Sequence, residues 1–180
     1  MTKESMLAED RVIVWDADFG KQIFESDYCG KLKEDRFEMS LIEAAHMLEM
    51  KKIKITGPDG KDIDLKSFMK YCRNIDPRFD FRYTVYKDLR KKDLPTRTGF
   101  KFGCDFRVYA KGVKPMKRGP KGAKEHTKWI VFAVPEKFAC SFHELSRAVR
   151  LAHNIRANML WAVVDNEGNV GYYQVTFYKP

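Results

Sequence analysis

Two runs in the second half of the chain, Trp129–Val134 and Leu160–Val164, are apolar at every position. A strand with one wet face alternates apolar and polar residues, whereas a strand apolar on both faces must be covered on both. Between the runs, Ser141-Phe142-His143-Glu144 has capping-box spacing, which opens a helix predicted from Phe142 to about Asn158. Leu145, Ala148, Val149, Ala152, Ile155 and Met159 form its apolar stripe. A buried strand, a helix and a second buried strand predict a mixed sheet flanked by helices.

Further strands are expected at Phe100–Tyr109 and Tyr172–Lys179. In the former, Phe100, Phe102, Cys104, Phe106 and Val108 alternate with Lys101, Gly103, Asp105, Arg107 and Tyr109, which places the second set on the polar face. The first half reads as short strands followed by helices. Arg11–Trp15 and Lys52–Ile55 are strands, and Gly57–Gly60 is a turn. Ser40 opens a helix through a second S-x-x-E box, with Leu41, Ala44, Ala45 and Leu48 inward. Asp64 caps a helix that carries Leu65, Phe68, Met69 and Cys72 on one face, and Pro77 opens another that runs to about Lys92. The fold class is α/β (α+β), with a small N-terminal α/β domain over 1–84 and a second domain over 85–180.

Charge narrows the partners. The chain carries 34 Lys and Arg against 25 Asp and Glu, a net +9, and a basic balance favours polyanions, since neutralising phosphates releases counterions. No apolar run approaches the ~20 residues of a membrane helix, and the polar Met1–Asp10 is unlike a signal peptide; no membrane association and a cytoplasmic location are expected. Cys29, Cys72, Cys104 and Cys140 are scattered without metal-site spacing, so they read as buried free thiols.

The densest basic segment is Lys111–His126, where Lys111, Lys114, Lys117, Arg118, Lys121 and Lys124 stand among glycines and prolines. Such a loop is either a solvated surface or a clamp on a nucleic-acid backbone. It is framed by Tyr109 and His126. Each alone is ordinary, but together they form an acid/base pair suited to RNA cleavage. The helix after Ser141 adds Arg147 and Arg150, with Ala157 expected on the same stripe about two turns beyond Arg150. Those arginines either bind a polyanion or keep the helix soluble.

These segments resemble the archaeal tRNA-splicing endonuclease family. Tyr86-Lys87-Asp88-Leu89-Arg90 is similar to its YxDLR helix, and Thr98–Tyr109 to its TGxKxGxDFxxY strand. Glu125-His126-Thr127 resembles its EHS element, and Val149–Arg156 its VRxAHSxR helix. The motifs stand in the family's order over about residues 40–180.

The resemblance implies a restriction-endonuclease-like sheet in the second domain and cleavage of precursor tRNA at a bulge-helix-bulge. It implies Tyr109 as the base on the ribose 2′-hydroxyl and His126 as the acid on the leaving 5′-oxygen. The products would be a 2′,3′-cyclic phosphate and a 5′-hydroxyl, with no metal and no cofactor. Arg150 would stack on an extruded base. The family's catalytic lysine falls on Ala157, which has three readings: an engineered inactive form, a naturally impaired subunit, or rescue by Arg156. Four catalytic-type domains would assemble as a homo-tetramer or a hetero-tetramer. In that assembly, Asp165 and Glu167 in Asp165-Asn166-Glu167-Gly168 resemble a loop that docks on a neighbour, though the same residues also suit a plain β-turn. Two rivals stay open: a non-catalytic RNA-binding or structural subunit of the same assembly, and a metal-dependent nuclease of the restriction type. The latter needs clustered carboxylates, which Asp105 alone does not make.

Overall fold

The computed structural model describes residues 3–99, 103–115 and 126–178. The chain divides into two compact units, Met1–Asp80 and Phe81–Pro180. The expected α/β architecture is present, with five helices and two mixed sheets among the described residues.

The first unit holds β1 (Lys3–Ala8), β2 (Arg11–Val14), α1 (Ala17–Asp27), β3 (Lys31–Leu32), β4 (Phe37–Ser40), α2 (Leu41–Glu49), β5 (Ile53–Thr56), β6 (Asp62–Ile63) and α3 (Leu65–Ile75). Its sheet runs β3-β4-β2-β1-β5-β6, with β1 and β5 parallel and the other pairs antiparallel. Both bonds of the capping box at Ser40 form: the Glu43 amide donates to Ser40 Oγ (3.4 Å), and the Ser40 amide to Glu43 Oε2 (2.9 Å). Asp64 caps α3 by accepting from the Ser67 amide at 2.9 Å. Helix α1 is absent from the sequence expectations, because it buries only Gly20, Ile23 and Asp27 and so shows no apolar stripe.

The second unit holds nearly all of α4 (Phe79–Lys91), then β7 (Thr96–Thr98), β8 (Phe106–Val108), β9 (Trp129–Pro135), α5 (Phe142–Asn154), β10 (Asn158–Val164) and β11 (Val170–Val175). Its sheet runs β11-β10-β9-β8-β7. Strands β9 and β10 are parallel, joined by α5, and the other pairs are antiparallel. Helix α5 packs Ala148 and Ala152 onto Ile130, Met159 and Cys104. Helix α4 packs Tyr86 against Phe106 (ring centroids 5.7 Å apart). Phe106 pairs with Val131, the neighbour of Ile130. Successive strand residues point to opposite faces, so α4 and α5 cover opposite faces of this sheet.

Four expectations need correction. Phe100–Tyr109 is not one strand: β8 begins only at Phe106, and β7 pairs back on it as a hairpin. At the turn, a Cβ on Gly99 would collide with the Cys104 thiol, and Gly103 adopts φ +70°. The run Leu160–Val164 is not buried throughout, because Leu160, Trp161 and Val163 stay half-buried beside the edge strand β11. That edge strand ends at Val175, short of Lys179. Three cysteines are buried free thiols, but Cys140 is exposed. Burial pushes the Cys72 and Cys104 thiols up to about 12.

Candidate functional site

Three adjacent strands end in register. Val108 of β8 pairs with Trp129 of β9, and Trp129 pairs with Asn158 of β10. Tyr109 directly follows the first of these residues, His126 stands three before the second, and Ala157 directly precedes the third. The Lys128 amide donates to the Val108 carbonyl (2.9 Å), and the Asn158 amide to the Lys128 carbonyl (2.9 Å), tying the three chain segments together. Residues spread over 49 positions of sequence thus reach one end of one sheet.

The individual environments differ from the expectations. Alternation puts Tyr109 on the polar face, but it is 2% exposed. Pairing with β7 carries on to Tyr109, whose amide donates to the Pro95 carbonyl (3.0 Å) in the register of the Thr96–Val108 pair. The face it shares with Arg107 and its partner Ile130 is covered by α5 and is not polar. His126 is exposed.

Ala157 is not on α5 at all. The helix ends at Asn154, four residues earlier than expected, in a Schellman turn. The Ala157 amide donates to the Ala152 carbonyl (2.9 Å), the Arg156 amide to the His153 carbonyl (3.0 Å), and Arg156 takes φ +55°. Ala157 packs half-buried against the Ala152–Met159 cluster. It also lines an open concavity of about 630 Å³ with His153, Asn154, Arg156 and Asn158. The stripe joining Arg150 to position 157 by helical periodicity is therefore broken. Arg147 and Arg150 remain exposed on α5, and Arg150 Nε donates to the Ser146 carbonyl (3.4 Å).

Of the basic-loop residues, Lys114 is exposed. Lys117, Arg118 and Lys121 lie outside the described residues. Lys111 is engaged by Asp93 (2.8 Å), and that bond holds the Asp93 carboxyl below its ordinary range. Asp165 turns its carboxylate into its own loop, accepting from the amides of Glu167 (2.9 Å) and Asn169 (2.8 Å). Asn169 is the main reason its pKa is lowered. Glu167 is exposed.

Two supporting groups escape a reading of the sequence. Asp105, expected on the polar face, is buried against Arg82 (Nε–Oδ1 2.9 Å) and accepts from the Ala133 amide (2.9 Å). Tyr172 donates its phenol to Asp88 (2.6 Å), which also pairs with Lys92. Burial, then the Asp88 carboxylate, pushes the Tyr172 phenol up. Only the Asp105 alternation and the YxDLR-like segment hint at these partners.

Comparison with known proteins places both units. Residues 4–69 match the profile of the tRNA intron endonuclease N-terminal domain, and residues 79–172 that of the tRNA intron endonuclease catalytic C-terminal domain. The tRNA-splicing endonuclease of Thermococcus kodakarensis is 37% identical over 174 residues, 96% of this chain and 96% of its own. That of Thermococcus onnurineus is 35% identical over 158 residues, 88% of this chain and 86% of its own. The longer enzyme of Methanococcoides burtonii is 34% identical over 166 residues, 92% of this chain but 46% of its own. With both domain profiles matched in order and a 37% identical relative aligned over 96% of both chains, the chain belongs to the tRNA intron endonuclease family.

Proposed function

We propose that this chain is a catalytic-type subunit that cuts precursor tRNA at bulge-helix-bulge junctions without a metal, impaired by alanine at position 157. The observation that carries this reading is the register row Val108–Trp129–Asn158, past which Tyr109, His126 and Ala157 all stand. In the proposed step, Tyr109 takes the proton of the ribose 2′-hydroxyl, whose oxygen attacks phosphorus. The bond to the 5′-oxygen breaks as His126 protonates that oxygen. A 2′,3′-cyclic phosphate and a 5′-hydroxyl result. The charge gathered on the phosphate oxygens needs a cation, and alanine supplies none.

The buried Tyr109 and the apolar Ala157 favour a second reading, a non-catalytic RNA-binding or structural subunit of the same assembly. The Ala157→Lys variant separates the two when incubated with a labelled bulge-helix-bulge RNA in excess chelator. Cyclic-phosphate and 5′-hydroxyl ends are expected; binding without cut ends supports the second reading.

Arg147, Arg150, Lys114, Lys117, Arg118 and Lys121 form the proposed RNA-binding set, with Arg150 stacking on an extruded base. Replacing Lys114, Lys117, Arg118 and Lys121 together with serine is expected to weaken binding. It should also flatten its salt dependence, by about 0.7–0.9 log units for each phosphate no longer neutralised. A filter-binding series from low to high salt measures this, and an unchanged slope would turn the loop away from the RNA.

We further propose a cytoplasmic homo-tetramer or hetero-tetramer, in which the loop of Asp165 and Glu167 meets a neighbour, Asp165 holding the loop's shape and the exposed Glu167 making the contact. The edge strand β11 and the exposed Tyr173, Phe177 and Tyr178 support assembly, since an unpaired edge with apolar residues tends to be covered.

A further inference from the structure

Position 157 lacks a cation, but the residue before it carries one. Arg156 occupies the left-handed position of the Schellman turn that ends α5, at φ +55°. Glycine is the usual occupant of such a position, because a Cβ is disfavoured there. Here the site holds an arginine.

The arginine is also unspent. It is exposed, and no described residue takes a hydrogen bond or ion pair from its guanidinium. Lys111, Lys92 and Arg150 are engaged by Asp93, Asp88 and the Ser146 carbonyl, while Arg147 and Lys114 are exposed like Arg156 but do not line the concavity beside Ala157. Arg156 lines the same concavity as Ala157, together with His153, Asn154 and Asn158. The left-handed turn thus delivers an uncommitted cation to the place where alanine leaves the cationic role empty.

We infer that Arg156 contacts the reacting phosphate in this chain and carries the residual cleavage that remains with alanine at position 157. The inference rests on the function proposed above. A guanidinium suits the role, since its planar fork can donate two N–H bonds to two non-bridging phosphate oxygens, and it stays charged at any working pH. Arg156 exchanges no proton. The 2′-oxygen–phosphorus bond forms, the phosphorus–5′-oxygen bond breaks, one proton goes to Tyr109 and one leaves His126. The guanidinium holds charge throughout.

The test compares Arg156→Gly and Arg156→Lys, each made in the chain as it stands and in the Ala157→Lys background. Single-turnover cleavage of a bulge-helix-bulge RNA is measured at saturating enzyme, with the thermal midpoint recorded for every variant. In the chain as it stands, Arg156→Gly is expected to lower the rate at least tenfold, while the midpoint holds or rises because glycine relaxes the left-handed turn. Arg156→Lys should keep the rate within a few-fold. In the Ala157→Lys background, the loss from Arg156→Gly should shrink to a few-fold, since a second cation then shares the phosphate. A merely structural role predicts the reverse coupling, with rate and midpoint falling together. An equal loss in both backgrounds, or no loss in the first, overturns the inference. So does a tenfold loss from Lys128→Ala, which would pass the role to the strand neighbour of Ala157. Cleavage by no variant at all overturns the proposed function and this inference together.

Discussion

Replacing Ala157 with lysine is expected to raise single-turnover cleavage of precursor tRNA by about 10²–10³, the usual worth of one preorganised donor to transition-state charge. The site accepts the change. Ala157 is half-buried, with its methyl against the Ala152–Met159 cluster and its other side on an open concavity. A lysine stem can lie along that apolar wall while its ammonium reaches the wet side. The position follows the last turn of α5, where the carbonyl end of the helix favours a positive charge. Folding should therefore be unharmed, with a thermal midpoint close to that of the starting chain. Rapid mixing of excess enzyme with labelled RNA gives the rate. A variant that binds equally well but cuts no faster would show that position 157 does not face the phosphate.

Local chemistry is legible in the sequence, and tertiary chemistry is not. The two capping boxes are readable because their partners lie three residues apart, Ser40 with Glu43 and Ser141 with Glu144. The strands Trp129–Pro135 and Asn158–Val164 are readable because unbroken apolar runs mark strands inside a helix-flanked sheet, although the second run is only partly covered. The end of α5 is not. Ile155, Arg156 and Ala157 include neither glycine nor proline, and the apolar period continues through Met159. The helix stops because Asn158 is claimed by the strand beside it, through the Lys128 carbonyl and the pairing with Trp129. The burial of Tyr109 is tertiary too. Alternation sets it on the face of Arg107, and that face is covered by α5, which the strand's own residues do not announce. For the candidate site, the identities of Tyr109, His126 and Ala157 come from motif resemblance, whereas their common sheet end follows from register across three strands.

Asp105→Asn is expected to destabilise the second unit by about 3–5 kcal/mol, the cost of removing one partner from a buried ion pair. The Asp105 and Arg82 side chains are each only 5% exposed and meet at 2.9 Å. Asp105 does more than pair. Its second carboxylate oxygen accepts from the Ala133 amide of β9 (2.9 Å). Its own amide donates to the Val131 carbonyl (3.0 Å), and its carbonyl accepts from Gly99 (2.8 Å). One residue thus links α4, the β7–β8 turn and the central strand β9. Asparagine keeps the shape but leaves the Arg82 charge buried without that carboxylate. A loss of this size is a large share of the ~5–15 kcal/mol that holds a typical protein folded. Urea titration should show a lower midpoint with an unchanged slope. Adding Arg82→Met to Asp105→Asn should recover part of the loss, because the buried cation is then removed along with the carboxylate it faced. The two substitutions together should cost less than the sum of each alone. Strict additivity would mean that the two side chains do not act as a pair. Because Asp105 sets the approach of β8 to β9 and Tyr109 leaves β8 at its next end, the same substitution should also slow the cleavage restored by Ala157→Lys. The Arg82→Met companion should return that rate in step with the stability.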